Sequence, residues 1–360
     1  MIQINKCYNA WESFKDHFIE RIPMAQDGFF DWQFRYAKLD KTGDPLPKID
    51  EAIDWDWFRN ILQKVRLKER KSNAGAKPYD EVLMFKILLI QSLYNLSDDG
   101  TEFQISDRIS FMRFLGLNLG DKIPDAKTIW LFRDQLTEAG LLDDLFKSFD
   151  DFLTANGFSA KKGQIIDASI VSAPRQRNSR EENKMIKDGR TPEDWSGAKS
   201  RQKDTEARWT QKNGESYYGY KNHVSVDVKH KFVRSYAVTD ASVHDSRVFD
   251  DLLDPSNTSR DVYADSAYRS EDSLKRLKKK GFREHLQRKG CRNRKLSQRE
   301  IQGNRSRSKI RCRVEHVFGI QTMTAGSLII RTIGIVRAGT KIALRNLAYN
   351  IQRYGNLAAA

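Results

Sequence analysis

Ile165-Ile166-Asp167-Ala168-Ser169-Ile170-Val171 is the stretch on which the fold turns. Apolar and β-branched residues fill it, so it reads as a strand, yet a carboxylate sits in its middle. Three further stretches share that composition between polar breaks: YYGYKNHVSVDV (217–228), FVRSYAVTD (232–240) and DVYADS (261–266). A sheet is therefore expected from residue 163 onward. Asp265 ends the run Val262-Tyr263-Ala264 much as Asp167 interrupts its own. Burying an unpaired carboxylate is costly, so each must find a cation or hydrogen-bond donors. A divalent metal is one such cation; a strand-end cap or a set of backbone N–H groups is the plainer alternative.

Upstream of the strands the apolar spacing is helical. Asp80 to Leu96 is apolar almost all round and belongs at the centre of its domain. Thr101 to Leu115 stops at Gly116. Asp125 is a good N-cap for Ala126 to Ala139, with Gly140 as the stop, and Leu141 to Asn156 ends at Gly157. Three regions result: 1–60, of unassigned role and containing Trp11, Trp32, Trp55 and Trp57; a helical region 61–158 with a helix-turn-helix character; and a strand-rich region 159–354. Within the last, 174–216 is polar throughout and is expected to be a long loop or insertion. Its Trp195 and Trp209 have no neighbours for a core of their own and must dock on DNA, on a partner or on the sheet.

The charge is as informative as the pattern. The 360 residues, 39% of them hydrophobic, exclude a disordered tail or a small stapled scaffold, and 63 Lys+Arg against 48 Asp+Glu give a net +15. Such a chain is drawn to polyanions, nucleic acid first. Between Arg269 and Arg313 stand 18 Lys/Arg and 4 Asp/Glu. So strong a one-sign excess repels itself unless phosphates neutralise it. Cys7, Cys291 and Cys312 form no C-x-x-C pair, which argues against a disulfide framework and a cysteine zinc site. The N-terminus lacks a signal-peptide core. The longest uncharged apolar stretch, Ile87 to Leu96, falls far short of the roughly 20 residues that span a bilayer, so a cytoplasmic protein with no membrane partner is expected.

A third carboxylate, Glu315, lies in Arg311-Cys-Arg-Val-Glu-His-Val-Phe-Gly319, beside the apolar side of a helix marked by Val314, Val317 and Phe318. Arg311, four residues earlier, shares its face and can hold either Glu315 or a substrate phosphate. Three carboxylates from two strands and a helix suit Mg²⁺ or Mn²⁺, which prefer oxygen ligands. Two such ions about 4 Å apart activate the attacking oxygen and stabilise the leaving oxygen of a phosphoryl displacement. Candidate DNA contacts follow from placement. Lys221 and His223 share one face of a strand, Lys127, Thr128 and Arg133 lie on a helix after a short turn, and Arg269, Lys309, Arg311 and Arg313 belong to the basic segment. Asp245 reads as an N-cap and Asp240 as an accessory carboxylate.

The runs QIIDASIVSAP, ARWTQKNGESYYGYKNHVSVD, VYADSAYRS and IRCRVEHVFG resemble the DDE transposases of bacterial insertion sequences, and within them the insertion sequence five, or InsH-like, group. YDEVLMFKILLIQSLYNLSD and DAKTIWLFRDQL are similar to that group's helical N-terminal domain. The resemblance covers Tyr79 to Tyr354. It implies an α+β or α/β chain with an RNase H-like catalytic domain, a mixed β-sheet flanked by helices, preceded by an all-helical N-terminal domain. Asp167, Asp265 and Glu315 match the catalytic, metal-binding triad. In the related signature Tyr-x2-Arg-x3-Glu-x6-Lys, Arg311 and Glu315 match, whereas Ser308 and Thr322 stand at the Tyr and Lys positions. The implied activity is cleavage at transposon ends and joining of the freed 3′-OH to target DNA, with two Mg²⁺ or Mn²⁺ ions. The implied setting is a homodimer or higher oligomer on double-stranded DNA in the bacterial nucleoid. An RNase H-like nuclease or junction resolvase needs the same carboxylates without strand transfer, and a domesticated DNA-binding protein needs none of them.

Overall fold

The structure, a computed structural model, describes residues 31–66, 77–292 and 294–359. Cys7, Trp11 and residues 67–76 of the helical region lie outside the described residues. The chain forms two compact units, Met1–Asp44 and Pro45–Ala360. In the first, helix α1 (Asp31–Thr42) buries none of its side chains and pairs the rings of Trp32 and Tyr36 at 5.9 Å.

The second unit begins with helices α2 (Leu46–Ala52), α3 (Arg59–Leu62), α4 (Glu81–Tyr94), α5 (Asp98–Asp107), α6 (Ile109–Leu115), α7 (Ala126–Glu138) and α8 (Leu142–Ala155). The Asp80 side chain caps α4 by accepting from the N–H groups of Val82 and Leu83, and Asn95, at φ +51°, ends it. Phe85, Ile87, Leu88, Leu89 and Ile90 of α4 are wholly buried, as its all-round apolar pattern requires. The single helix expected over Thr101 to Leu115 is instead two, because Arg108 is extended. Its guanidinium lies over the rings of Tyr94 and Phe111, and the turn it makes sends Phe111, Met112, Phe114 and Leu115 into the core.

There follow β1 (Gln164–Ser172), α9 (Arg180–Lys187), α10 (Gly197–Gln202), β2 (Arg208–Lys212), β3 (Glu215–Asp227), β4 (Val233–Asp240), β5 (Asp261–Ala264), α11 (Glu271–Lys279), β6 (Arg283–Leu286), α12 (Gln298–Arg311), α13 (Arg313–Ala325) and α14 (Ile335–Ala358). The sheet runs β2-β3-β1-β5-β6, with β4 also on β3. It is mixed: β1, β2 and β4 pair antiparallel with β3, while β1, β5 and β6 are parallel.

Alternation along the strands puts apolar side chains on both faces. Ile165, Val224, Val226 and Tyr263 face a core that also holds the helical residues from Leu46 to Leu153 and Leu344, Leu347, Ile351 and Tyr354 of α14. Ile166, Val262, Ala264 and Leu286 face a smaller core with Phe249, Tyr268 and Leu277. The change of period near residue 158 is therefore a change of secondary structure, and one core runs across it. The turn into β1 depends on Gly163, at φ +91°, where a Cβ would lie 2.6 Å from the Asp261 carbonyl oxygen. The Asn257 side chain clamps the same glycine by accepting from its N–H at 3.0 Å and donating to its carbonyl at 2.9 Å.

The expected loop 174–216 carries α9, α10 and β2 instead. A capping box of Ser179 and Glu182 starts α9. Glu182 then accepts from buried Trp195 at 2.6 Å and from Lys199 at 2.8 Å. Local caps and this one polar knot order the segment, so no apolar period announces it. Trp209, on β2, remains half-exposed beside Arg175. Among the described residues no helix is long and apolar enough to cross a membrane.

Candidate active site

The parallel register of β1 and β5 sets Ile165 against Tyr263. Carried on by two residues, it sets Asp167 against Asp265, on the sheet face covered by α13. Asp265 caps the single turn Ser266–Tyr268 by accepting from the Ala267 N–H at 2.8 Å. The Asp167 carboxylate accepts from the Ala168 N–H at 2.9 Å and from Arg311 Nη1 at 2.8 Å. Burial pushes its carboxyl above the usual carboxylate range, and the Asp265 charge adds to that. The Ala168 N–H and Arg311 oppose it without prevailing. This strand end is short of positive charge.

Glu315 stands in the first turn of α13, with Val314 and Val317 wholly buried on either side of it. Its own side chain is 62% exposed and takes the other end of Arg311, at 3.4 Å from Nη2. Arg311 thus spans Asp167 and Glu315. Among the described residues no three His, Cys, Asp or Glu side chains are gathered as metal ligands. The observed β1–β5 pairs end at Ile165 and Tyr263, two residues short of Asp167 and Asp265, and Glu315 pairs with Arg311. The donor chemistry of these residues, carboxylate oxygens alone, fits a hard divalent cation.

Lys221 and His223 lie on the opposite face of the sheet. Expected beside DNA, they are instead held inside: Lys221 donates to the Val243 carbonyl at 2.7 Å and to Asp245 at 2.8 Å. His223 is fully buried and shares a 2.9 Å hydrogen bond with Thr239. Desolvation holds its imidazole down to about 4, so it is neutral at physiological pH. Arg133 is likewise buried, its guanidinium bidentate on Asp98 at 2.6 and 2.8 Å, so it ties α7 to α5 and presents nothing to DNA. Asp240 accepts from Ser242 and shapes a turn. Asp245 does not cap the turn Asp245–Arg247; His244 does.

The basic segment is mostly surface. Lys127, Lys309, Arg292, Arg299 and Arg305 are exposed, and α12 buries none of its residues. Arg313 donates to the Val228 carbonyl at 2.9 Å and Arg269 pairs with Glu284 at 3.0 Å. Beyond the C-terminal ends of β5 and β6, Arg269, Arg288, Lys289, Arg294 and Lys295 line one cleft with Glu300 as its only acid. Sequence reasoning missed Tyr268, whose ring is wholly buried one turn beyond Asp265. The run AspSerAlaTyr was its only trace, since an aromatic after a strand reads as core.

Residues 159–351, more than half of the chain, match the family model described as Transposase DDE domain. Residues 33–135 match a second, described as Transposase domain. Among solved structures the chain is similar to the piggyBac transposase synaptic complex with hairpin DNA, studied by cryo-EM, with 13% identity and a TM-score of 0.40 over 86% of this chain and 75% of that one.

Proposed function

We propose that this chain, which belongs to the transposase DDE-domain family, uses Asp167, Asp265 and Glu315 as catalytic carboxylates to cut and rejoin DNA at the ends of an insertion sequence of the five, or InsH-like, group. It is a DNA transposase with an RNase H-like catalytic region. The observation that supports the site assignment is the β1–β5 register, which continued by two residues would set Asp167 opposite Asp265, with Arg311 joining Asp167 to Glu315.

The three carboxylates would hold two divalent ions, Mg²⁺ or Mn²⁺, which supply activation of the attacking oxygen and stabilisation of the leaving one. The protein's own part is positioning and neutralisation of charge. Arg311, at the rim of the carboxylate end, releases Glu315 and takes a phosphate oxygen when DNA arrives. Lys309, Arg313 and Arg269 flank it and guide the backbone, while Lys127 reads from the helical region 61–158. Double-stranded DNA is the partner, and cutting two ends in concert calls for two or more copies of the chain.

The test is a cleavage and joining assay on DNA bearing the element's ends, with Mg²⁺, Mn²⁺ or EDTA, comparing wild type with Asp265→Ala. Metal-dependent nicking and joining are expected, lost by about a thousandfold or more in the variant, with DNA binding retained. Pre-cut ends with a free 3′-OH add a second arm: joining supports a transposase, and cutting without joining moves the site to a nuclease or resolvase.

A further inference from the structure

The Tyr268 side chain is fully buried, and its hydroxyl has no hydrogen-bond partner among the described residues. The ring is fixed. It packs on Phe249 at 5.2 Å between centroids, and the residue's carbonyl accepts from Ser273 Oγ at 2.8 Å. The side chain packs in the core that holds Ile166 and Ala264, the chain neighbours of Asp167 and Asp265, and burial first, then the charges of Asp245, Asp167 and Asp265, pushes its hydroxyl's pKa well up. Beyond Asp245 lies a second orphaned polar atom, His223 Nδ1, 4.0 Å from Asp245 Oδ1. A hydroxyl kept in a core without a partner costs free energy that phenylalanine would not incur. Packing therefore explains the ring and leaves the oxygen unexplained.

We infer that Tyr268 is a positioning residue whose hydroxyl donates to the oxygens gathered around the cation at the Asp167–Asp265 end. This rests on the proposed function, since it needs a cation there. The turn Ser266–Tyr268 makes the coupling short: Asp265 caps it at one end and the tyrosine closes it at the other. Asp245 is already paired with Lys221 at 2.8 Å. Groups that orient metal ligands commonly contribute 10- to 100-fold to metal affinity.

The experiment is titration calorimetry of the full chain with Mn²⁺, alongside thermal unfolding without metal, for wild type, Tyr268→Phe, Tyr263→Phe and Asp265→Ala. Tyr268→Phe is expected to weaken Mn²⁺ binding about tenfold with the metal-free melting temperature unchanged or raised. Tyr263→Phe, which removes another strand-end hydroxyl, should bind as wild type does. Unchanged Mn²⁺ affinity in Tyr268→Phe overturns the inference, and so does a fall in melting temperature that accompanies the weaker binding. If wild type shows no Mn²⁺ binding that Asp265→Ala removes, the proposed site itself fails. If it does and Tyr268→Phe is silent, only the role of the hydroxyl fails.

Discussion

The ladder between β1 and β3 carries two aspartates three pairs apart, Asp227 opposite Gln164 and Asp167 opposite Val224, and the two are treated in opposite ways. At one end Asp227, opposite Gln164 and wholly buried, accepts from the His230 N–H at 2.6 Å, the Phe232 N–H at 3.0 Å and Arg234 Nε at 3.1 Å. Arg234 is saturated in turn by Asp150 and the Phe158 carbonyl. Three pairs further in, half-buried Asp167 has one backbone N–H and one arginine, and His223 and Tyr268 each keep an unused polar atom. A saturated carboxylate locks a fold; an under-satisfied one is held ready for something else. The difference separates a saturated charge from an under-satisfied one within a single pair of strands.

The comparison breaks most visibly if Arg234→Ala is tolerated. Removing one partner of a buried pair strands the other charge, so a loss of about 3–5 kcal/mol is expected from denaturant unfolding. Cleavage per folded molecule should be unchanged. A loss below 1 kcal/mol would show that the saturated end contributes no more than a surface pair.

A smaller effect is expected with pH. The buried imidazole of His223 is held down to about 4 in the fold, against 6.5 in the unfolded chain. A histidine depressed on folding contributes stability that is complete above pH 6.5 and is lost as pH falls towards 4, because only the unfolded chain takes up the proton. The loss is up to about 3 kcal/mol. Melting temperatures at pH 7 and pH 4.5 for wild type and His223→Asn measure it; equal slopes would refute it.

The smallest effect sharpens the contrast. The carboxyl of Asp167 is raised by burial, so its ionised form weighs against the fold at neutral pH. Asp167→Asn should gain stability in denaturant unfolding while abolishing cleavage, the trade expected where a site is kept under strain. A destabilised variant would place Asp167 with Asp227 among the locking charges.

Much of this architecture was legible. Four strands and the helices α4, α7 and α8 follow from apolar period and, for α7, from Asp125 at its N-cap. Asp167 and Asp265 stand out because a carboxylate in an apolar strand demands a reason, and the β1–β5 pairs stop two residues short of them. What was illegible has physical causes. β2 and β6 are polar strands at the sheet's margins, RWTQK and REHL, with no apolar alternation to betray them. Order in 174–216 comes from Glu182, Trp195 and Lys199, which are far apart in sequence. Lys221, His223 and Arg133 carry the residue types of a DNA surface, and only tertiary structure reveals that Asp245, Thr239 and Asp98 had claimed them.

The long closing helix has a consequence in time. α14, 24 residues long, supplies Leu344, Leu347, Ile351 and Tyr354 to the core shared with α2, α4 and α8, and Asn350 clamps Val233 of β4 through its N–H and its carbonyl. At about 5–20 residues per second, a ribosome makes this helix many seconds after the helices it completes. Until then the apolar surfaces of α4 and α8 wait without their cover, in reach of chaperones and of neighbouring nascent chains. Completion of this core therefore waits on a helix made long after the helices it covers.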